Sequence, residues 1–469
     1  MNAANTRPLE LLRAYIRELK PETRDLLLAE FERAALRGDN IPGASFILQE
    51  LRNEVRGISV KLQRIGNPQR LFFTPVEPFL VSDTAESENC ARIPRACLDP
   101  IWHWITRDLI PADSEAYCDD VSRALLAKDQ AEAERLGRAF QNRAVEPIHA
   151  ALAQADESDR ARRRVLAQLG PAKGFKHVRQ VADVLKGRDK LSFLAGKLPH
   201  DIKDLTEPQL SSIKKLIESV ISEPQLYVYA LLLVADRLAQ PCQLVRLAVR
   251  AAESDTVERI VQTSYGVILP LLLGEIERKV MELRADLGRG LVTGSGILLK
   301  EIYDGVRILR SEIELTQESS WGRQLASLRA AVSRIITTEI ESLPGRVRRL
   351  LRPRPAGETA GSSLDLSEVI ETQALLGFLQ VCRQYASELA VNEVTLRIHS
   401  ELQQYLDMRA PMLIESLRRT SAVEQKFVRS QIEAAARFTS KLFNPDYATL
   451  LAKAAEIAAQ AAPQAAANN

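Results

Sequence analysis

The sequence predicts an all-α fold, a multi-helical bundle or degenerate helical stack with a Pro-rich irregular insertion near residues 66–98. Three observations carry that expectation. Apolar residues recur at steps of three and four, as at Leu299, Ile302, Val306, Leu309 and Ile313, then Leu325, Leu328, Val332 and Ile335. Such a row is one stripe of a helix and must be buried against other helices. Composition agrees, because Leu, Ala, Arg and Glu dominate and lose little rotamer freedom in a helix, while aromatics make up only 5%. Proline is clustered between Pro68 and Pro100, where it removes amide donors and precludes a continuous helix.

Taken in order, residues 1–66 read as an N-terminal unit of three short helices. Pro21 starts the second, and the third carries the row Ile47, Leu51, Val55, Ile58 and Leu62. Residues 67–98 are the irregular segment, with the densest aromatic cluster in the chain from Leu71 to Val81. Asp99 is the expected N-cap of the next helix, with Pro100 at its first position. Residues 99–352 form the expected central helical domain, with short helical pieces between Gly174 and Pro199. Within it Leu226–Ala235 is an unbroken apolar run, too short for a membrane span and therefore a buried helix. The stripe shifts by one residue at Ile336, Ile340, Leu343, Val347 and Leu350, and Pro344-Gly345 interrupts it. Residues 353–363 are a polar linker, residues 364–453 a C-terminal helical unit opened by Asp365-Leu-Ser-Glu368, and residues 454–469 an Ala/Gln-rich fraying tail.

A chain of 469 residues exceeds one ordinary core. With 46% apolar and 26% charged residues it is a folded protein and not a disordered one. Lys+Arg 63 against Asp+Glu 61 leaves no general basic excess, so a nucleic-acid partner is disfavoured. Five cysteines and the absence of a basic-then-apolar N-terminal segment point to a reducing, cytoplasmic setting with free thiols. Nothing predicts a transmembrane segment; peripheral contact with a membrane stays open.

The chemistry-bearing patterns are sparse. Cys90, Cys97 and His103, with Cys118 beyond, are spaced too widely for a zinc knuckle, so no metal is expected. The glycine-rich stretch Gly288–Gly296 lacks the Gly-Lys-Ser/Thr ending of a phosphate loop and reads as an interhelical turn. Neither a His-Glu-x-x-His motif nor a nucleophile elbow occurs, so no catalytic residue and no cofactor are assigned.

Two groups remain as binding candidates. Phe72, Phe73, Pro75, Pro78 and Phe79, with Trp102 and Trp104, would form a protein-docking surface if those rings were exposed. Arg346, Arg348, Arg349, Arg352 and Arg354 would suit an anionic partner, because guanidinium forks match carboxylate and phosphate. A smaller group, Arg160, Arg162, Arg163 and Arg164, follows the acidic turn 156–159, which could neutralise it. The leading expectation is a non-catalytic cytoplasmic helical scaffold or adaptor that binds other proteins, with self-association as one route. An enzyme with an unfamiliar site in a helical core is the alternative. A peripheral module meeting an anionic surface through the Arg cluster is a further one.

Overall fold

The structure is a computed structural model that describes residues 21–37, 67–81, 91–169, 173–316, 318–353, 363–419 and 422–465, with single positions between 19 and 51. Twenty α-helices lie among the described residues, and strand is confined to the two-residue pieces Leu80–Val81 and Ile93–Pro94. The fold is all-α. The chain divides into two compact units, Met1–Leu80 with Arg92–Phe193, and Val81–Ala91 with Leu194–Asn469.

In the first unit, α1 (Pro21–Arg37) buries Leu28 beside Leu51, with Phe31 and Ile47 packed on them. Val55, Ile58 and Leu62 of the expected third helix lie outside the described residues. The irregular segment opens with one short helix, α2 (Pro68–Phe72), because Asn67 caps it by accepting from the Arg70 amide at 2.7 Å and Pro68 needs no donor there. A 3₁₀ turn, Thr74–Phe79, follows. Next comes α3 (Leu98–Trp104), which starts one residue before the expected Asp99 cap: Asp99 sits in its first turn, and Cys97 holds the cap position without a side-chain bond. The helix runs on into a π turn, Ile105–Leu109. Then come α4 (Pro111–Leu126), α5 (Gln130–Glu157), α6 (Asp159–Leu169) and α7 (Lys173–Lys197). In place of the expected short pieces before Pro199 there is one helix, α7, whose buried Val178, Val181, Ala182 and Leu185 keep the helical spacing. Asp129 caps α5, and its inner row is Ala133, Phe140, Ala144, Ile148, Leu152 and Ala155.

In the second unit, α8 (Glu207–Val220) carries a capping box made by Thr206 and Gln209. The apolar run forms α9 (Tyr227–Ala235), buried from Tyr229 onward, as an all-round hydrophobic helix must be. Two short helices, α10 (Val245–Ala252) and α11 (Val257–Val261), lead to α12 (Ile268–Gly288) and α13 (Val292–Glu312). Of the glycine-rich stretch only 289–291 is the turn between them, Gly294 and Gly296 lying within α13; Gly290 has φ +75°, a left-handed conformation that a Cβ would strain. At Gly305 an added Cβ would stand 3.0 Å from the Cys242 sulfur, so α13 approaches its neighbours as closely as it does only through that glycine.

Next are α14 (Ser320–Glu341) and α15 (Leu343–Leu351), separated where Pro344 takes a first-turn position. They are followed by α16 (Leu366–Gln384), α17 (Ala386–Leu389), α18 (Asn392–Arg419), α19 (Ala422–Leu442) and α20 (Pro445–Ala465). The backbone is helical through Ala465, well beyond the expected fraying point at Ala454. Residues 354–362, most of the expected linker, lie outside the described residues. The helices on its two sides nonetheless share one core, since α16 packs against α13, α14, α15, α18 and α19. Among the described residues no helix is long and apolar enough to cross a membrane.

Candidate functional site

The aromatic group is a core. Phe72, Phe73 and Phe79 are at most 1% exposed, and Trp104 is buried as well. Phe72 meets Phe73 edge-on at 4.9 Å and Phe140 at 5.4 Å, and Tyr117 stacks on Phe140 at 4.2 Å. Trp102, half-buried, lies 5.5 Å from Phe72. Buried Gln141 donates to the carbonyl oxygens of Leu71 and Phe72, tying α2 to α5. The docking surface expected from Phe72, Phe73 and Phe79 is therefore corrected: the rings escape water by packing on α5, and the 3₁₀ turn carrying Pro75 and Pro78 covers them. The long apolar stripe is buried as its spacing requires, with Leu299 through Leu350 in the core of the second unit.

The C-terminal Arg cluster is matched by acids. Arg349 pairs with Glu368 and Arg346 with Glu371 at 3.7 Å, both on α16. Arg348 pairs with Glu401 of α18 at 2.7 Å and lies over the Tyr405 ring. A cleft of about 580 Å³ between α15 and α16 is lined by Arg346, Arg349, Asp365, Glu368 and Glu371. Three acids there accompany two guanidiniums, so Arg346 and Arg349 make no bare cationic patch. Arg352 is exposed, and Arg354 lies outside the described residues.

Titratable groups with shifted behaviour are scattered through the cores. Burial pushes the Cys242 thiol up to about 12, and pushes Cys382, Tyr117 and Tyr265 upward too. His399 is held below its ordinary value by burial and by the Arg383 charge. His103 bonds through Nδ1 to the Asp99 carbonyl at 2.7 Å, and His177 to Gln180 at the same distance. Among the described residues no group of three His, Cys, Asp or Glu is placed to hold a metal ion. Cys90 lies outside them.

One cleft in the first unit differs in kind. It encloses about 510 Å³ between the π turn, α5 and α6, and its lining includes Trp104, Ala151, Val165, Ser158, Arg160 and Arg164. Its two guanidiniums sit four residues apart, hence on one face of α6. Of the acidic turn that could neutralise them, Asp156 is drawn away. It accepts from Arg179 at 2.7 and 2.8 Å, and Arg162 lies over Phe175 at 5.4 Å on another face. Sequence reading saw this cluster but not that a neighbouring helix takes its acid.

No known protein family, curated protein or solved structure matches this chain.

Proposed function

We propose that this protein is a non-catalytic helical scaffold of the cytoplasm that works by protein–protein contact, beginning with self-association through α16. The observation that carries the reading is an apolar row on that helix. Leu366 and Ile370 are 58% and 51% exposed, and they share a row with Gly377 and Val381.

Helix α13 covers only the far end of this row. Gly296 meets Val381, and Tyr303 meets Tyr385 at 4.8 Å, so the two helices run parallel. In that register Val292, where α13 begins, is level with Gly377. The row before Gly377 is left to solvent, and an added Cβ at Gly377 would meet nothing within 4 Å.

A second copy of the chain fits this surface. Ile370 and Gly377 lie two turns apart on one face, a knob and a notch. An antiparallel pairing of two α16 helices about a two-fold axis would seat each Ile370 in the other copy's notch. Isologous contacts have this reciprocity. Leu366 would then stand level with Val381 of the second copy, and Ile370 level with the start of α13, where Leu291 is 55% exposed. A formal net charge of only +2 opposes such pairing weakly.

Light scattering of the full chain tests this reading. A dimer is expected for the wild type, with monomers for Ile370→Asp and for Gly377→Trp, which fills the notch. Both substitutions are on the surface, so thermal melting of the monomer should be unchanged. A wild-type monomer at tens of micromolar, or variants that associate like the wild type, would reject the α16 interface.

A further inference from the structure

The cleft beside α6 collects features that a buried ion pair or a solvated helix face does not need. Its lining brings apolar Trp104, Leu109, Ala151, Ala161 and Val165 together with polar Gln154, Ser158 and Gln168. Arg160 and Arg164 line it too, with no acid paired to either among the described residues. The single lining acid, Asp108, accepts a hydrogen bond from Gln168 at 3.1 Å. Among the lining residues two cations face one anion.

The charge comes from side chains rather than from backbone. Ser158 ends α5 and precedes α6, so the negative end of one helix and the positive end of the other meet at the same turn and largely cancel. A π turn forms one wall, its Ile110 amide bonded back to the Ile105 carbonyl at 3.0 Å. Such insertions bulge a helix outward and recur at functional sites. The volume lies within the range of small-molecule pockets, whose usual make-up is apolar walls with a few convergent polar groups.

We infer that this cleft binds a phosphate monoester with an apolar or aromatic body, the body lying against Trp104 and Val165 and the phosphate across Arg160 and Arg164. The head group follows from geometry. Side chains one turn apart on a helix are about 5–6 Å apart at their Cβ atoms, so two guanidinium forks can close on one tetrahedral group. A phosphate monoester offers three terminal oxygens and up to two charges, enough to accept from both forks. A carboxylate, with two oxygens, fills one fork and leaves the other solvated. The site lies in the first unit and does not depend on the α16 interface.

The same phosphate chemistry occurs on a soluble metabolite and on a lipid headgroup, and two probes separate them. Phenyl phosphate is titrated into the full chain by calorimetry at pH 7.5, and vesicles with and without phosphatidic acid are pelleted with it. Saturable binding is expected for at least one probe, weakened about tenfold or more by Arg160→Gln with Arg164→Gln, since each charge-assisted fork is a strong contact. Arg163→Gln, on α6 but outside the cleft, should bind like the wild type. Binding of phenyl phosphate assigns a soluble ligand; binding of the vesicles alone, with the same Arg dependence, assigns the headgroup. Absence of Arg160/Arg164-dependent binding to both probes overturns the site. So does equal binding of benzoate, or an Arg163→Gln variant as weak as the double one.

Discussion

Gln431 on α19 donates its side-chain amide to two carbonyl oxygens at the end of α15, that of Leu350 at 3.0 Å and that of Arg352 at 2.8 Å. Arg409 on α18 takes the carbonyl between them, Leu351, at 2.6 Å. The last carbonyls of a helix have no partner within it, and here two other helices supply the donors. The first unit repeats the device, with Gln141 of α5 capping α2. Each buried amide joins a short helix, too short to be stable alone, to a long one.

Gln431→Leu is therefore expected to destabilise the second unit by about 1–3 kcal/mol, because two hydrogen bonds go and one buried and one part-buried carbonyl lose their donor. Gln431→Glu should be worse, since a carboxylate facing carbonyl oxygens repels them. Urea denaturation followed by circular dichroism measures this. A change below about 0.5 kcal/mol, the usual size for a surface substitution, would show that water replaces the amide without loss.

Phe72→Ala separates a core from a docking surface. With Phe72 enclosed by Phe73, Trp102 and Phe140, truncation should cost about 3–5 kcal/mol, as large cavities do. Trp102 is close enough for tryptophan fluorescence to follow the transition. A variant as stable as the wild type would mean that the cluster closes without Phe72.

These two residues mark where the sequence was readable and where it was not. The stripe from Leu325 to Ile340 follows from spacing alone, because one helix face must be buried whatever covers it. Prolines 224, 344 and 445 begin elements for a local reason, the missing amide. The Phe72 cluster was ambiguous because an apolar stretch reads alike whether it turns inward or outward. Gln431 and Gln141 gave no local sign at all, since their carbonyl partners are 69 to 81 residues away. The Arg clusters divide the same way. Glu368 and Glu401, on α16 and α18, neutralise Arg349 and Arg348, whereas Asp156, four residues before Arg160 in the chain, is turned toward α7. Which cations stay free is thus decided by helix packing, and the α6 cleft could not be read before the fold.

The thiols should divide by depth. Cys242 and Cys382 are buried, and burial raises both well above the ordinary thiol range, so neither offers thiolate at neutral pH. Cys97 and Cys118 are half-buried. Dithionitrobenzoate at pH 8 is expected to modify Cys97 and Cys118 in the native protein, and Cys242 and Cys382 only after denaturant is added. Mass mapping of labelled peptides reads the order. Early labelling of Cys242 would mean that the contact of α13 with Cys242 through Gly305 opens locally, at a free energy well below that of global unfolding.

His399 ties stability to pH in the opposite sense from a salt-bridged histidine. It is buried on α18 with Nε2 lacking a partner among the described residues, and Arg383 adds a like charge against the protonated ring. The Leu442 carbonyl and Gln403 offset this only in part, so its folded pKa lies below the ordinary value of about 6.5. Between the two values the unfolded chain binds more protons than the folded one, which makes stability rise with pH. The contribution is therefore complete above about pH 6.5 and is lost as pH falls below it, levelling off once the folded form also protonates. Its slope cannot exceed about 1.4 kcal/mol per pH unit for a single group. His399→Gln should lose less stability than the wild type between pH 7.5 and 5.5, whatever its stability at the upper pH. Equal losses in the two proteins would place the acid sensitivity elsewhere and show that the fold accepts a charge beside Arg383.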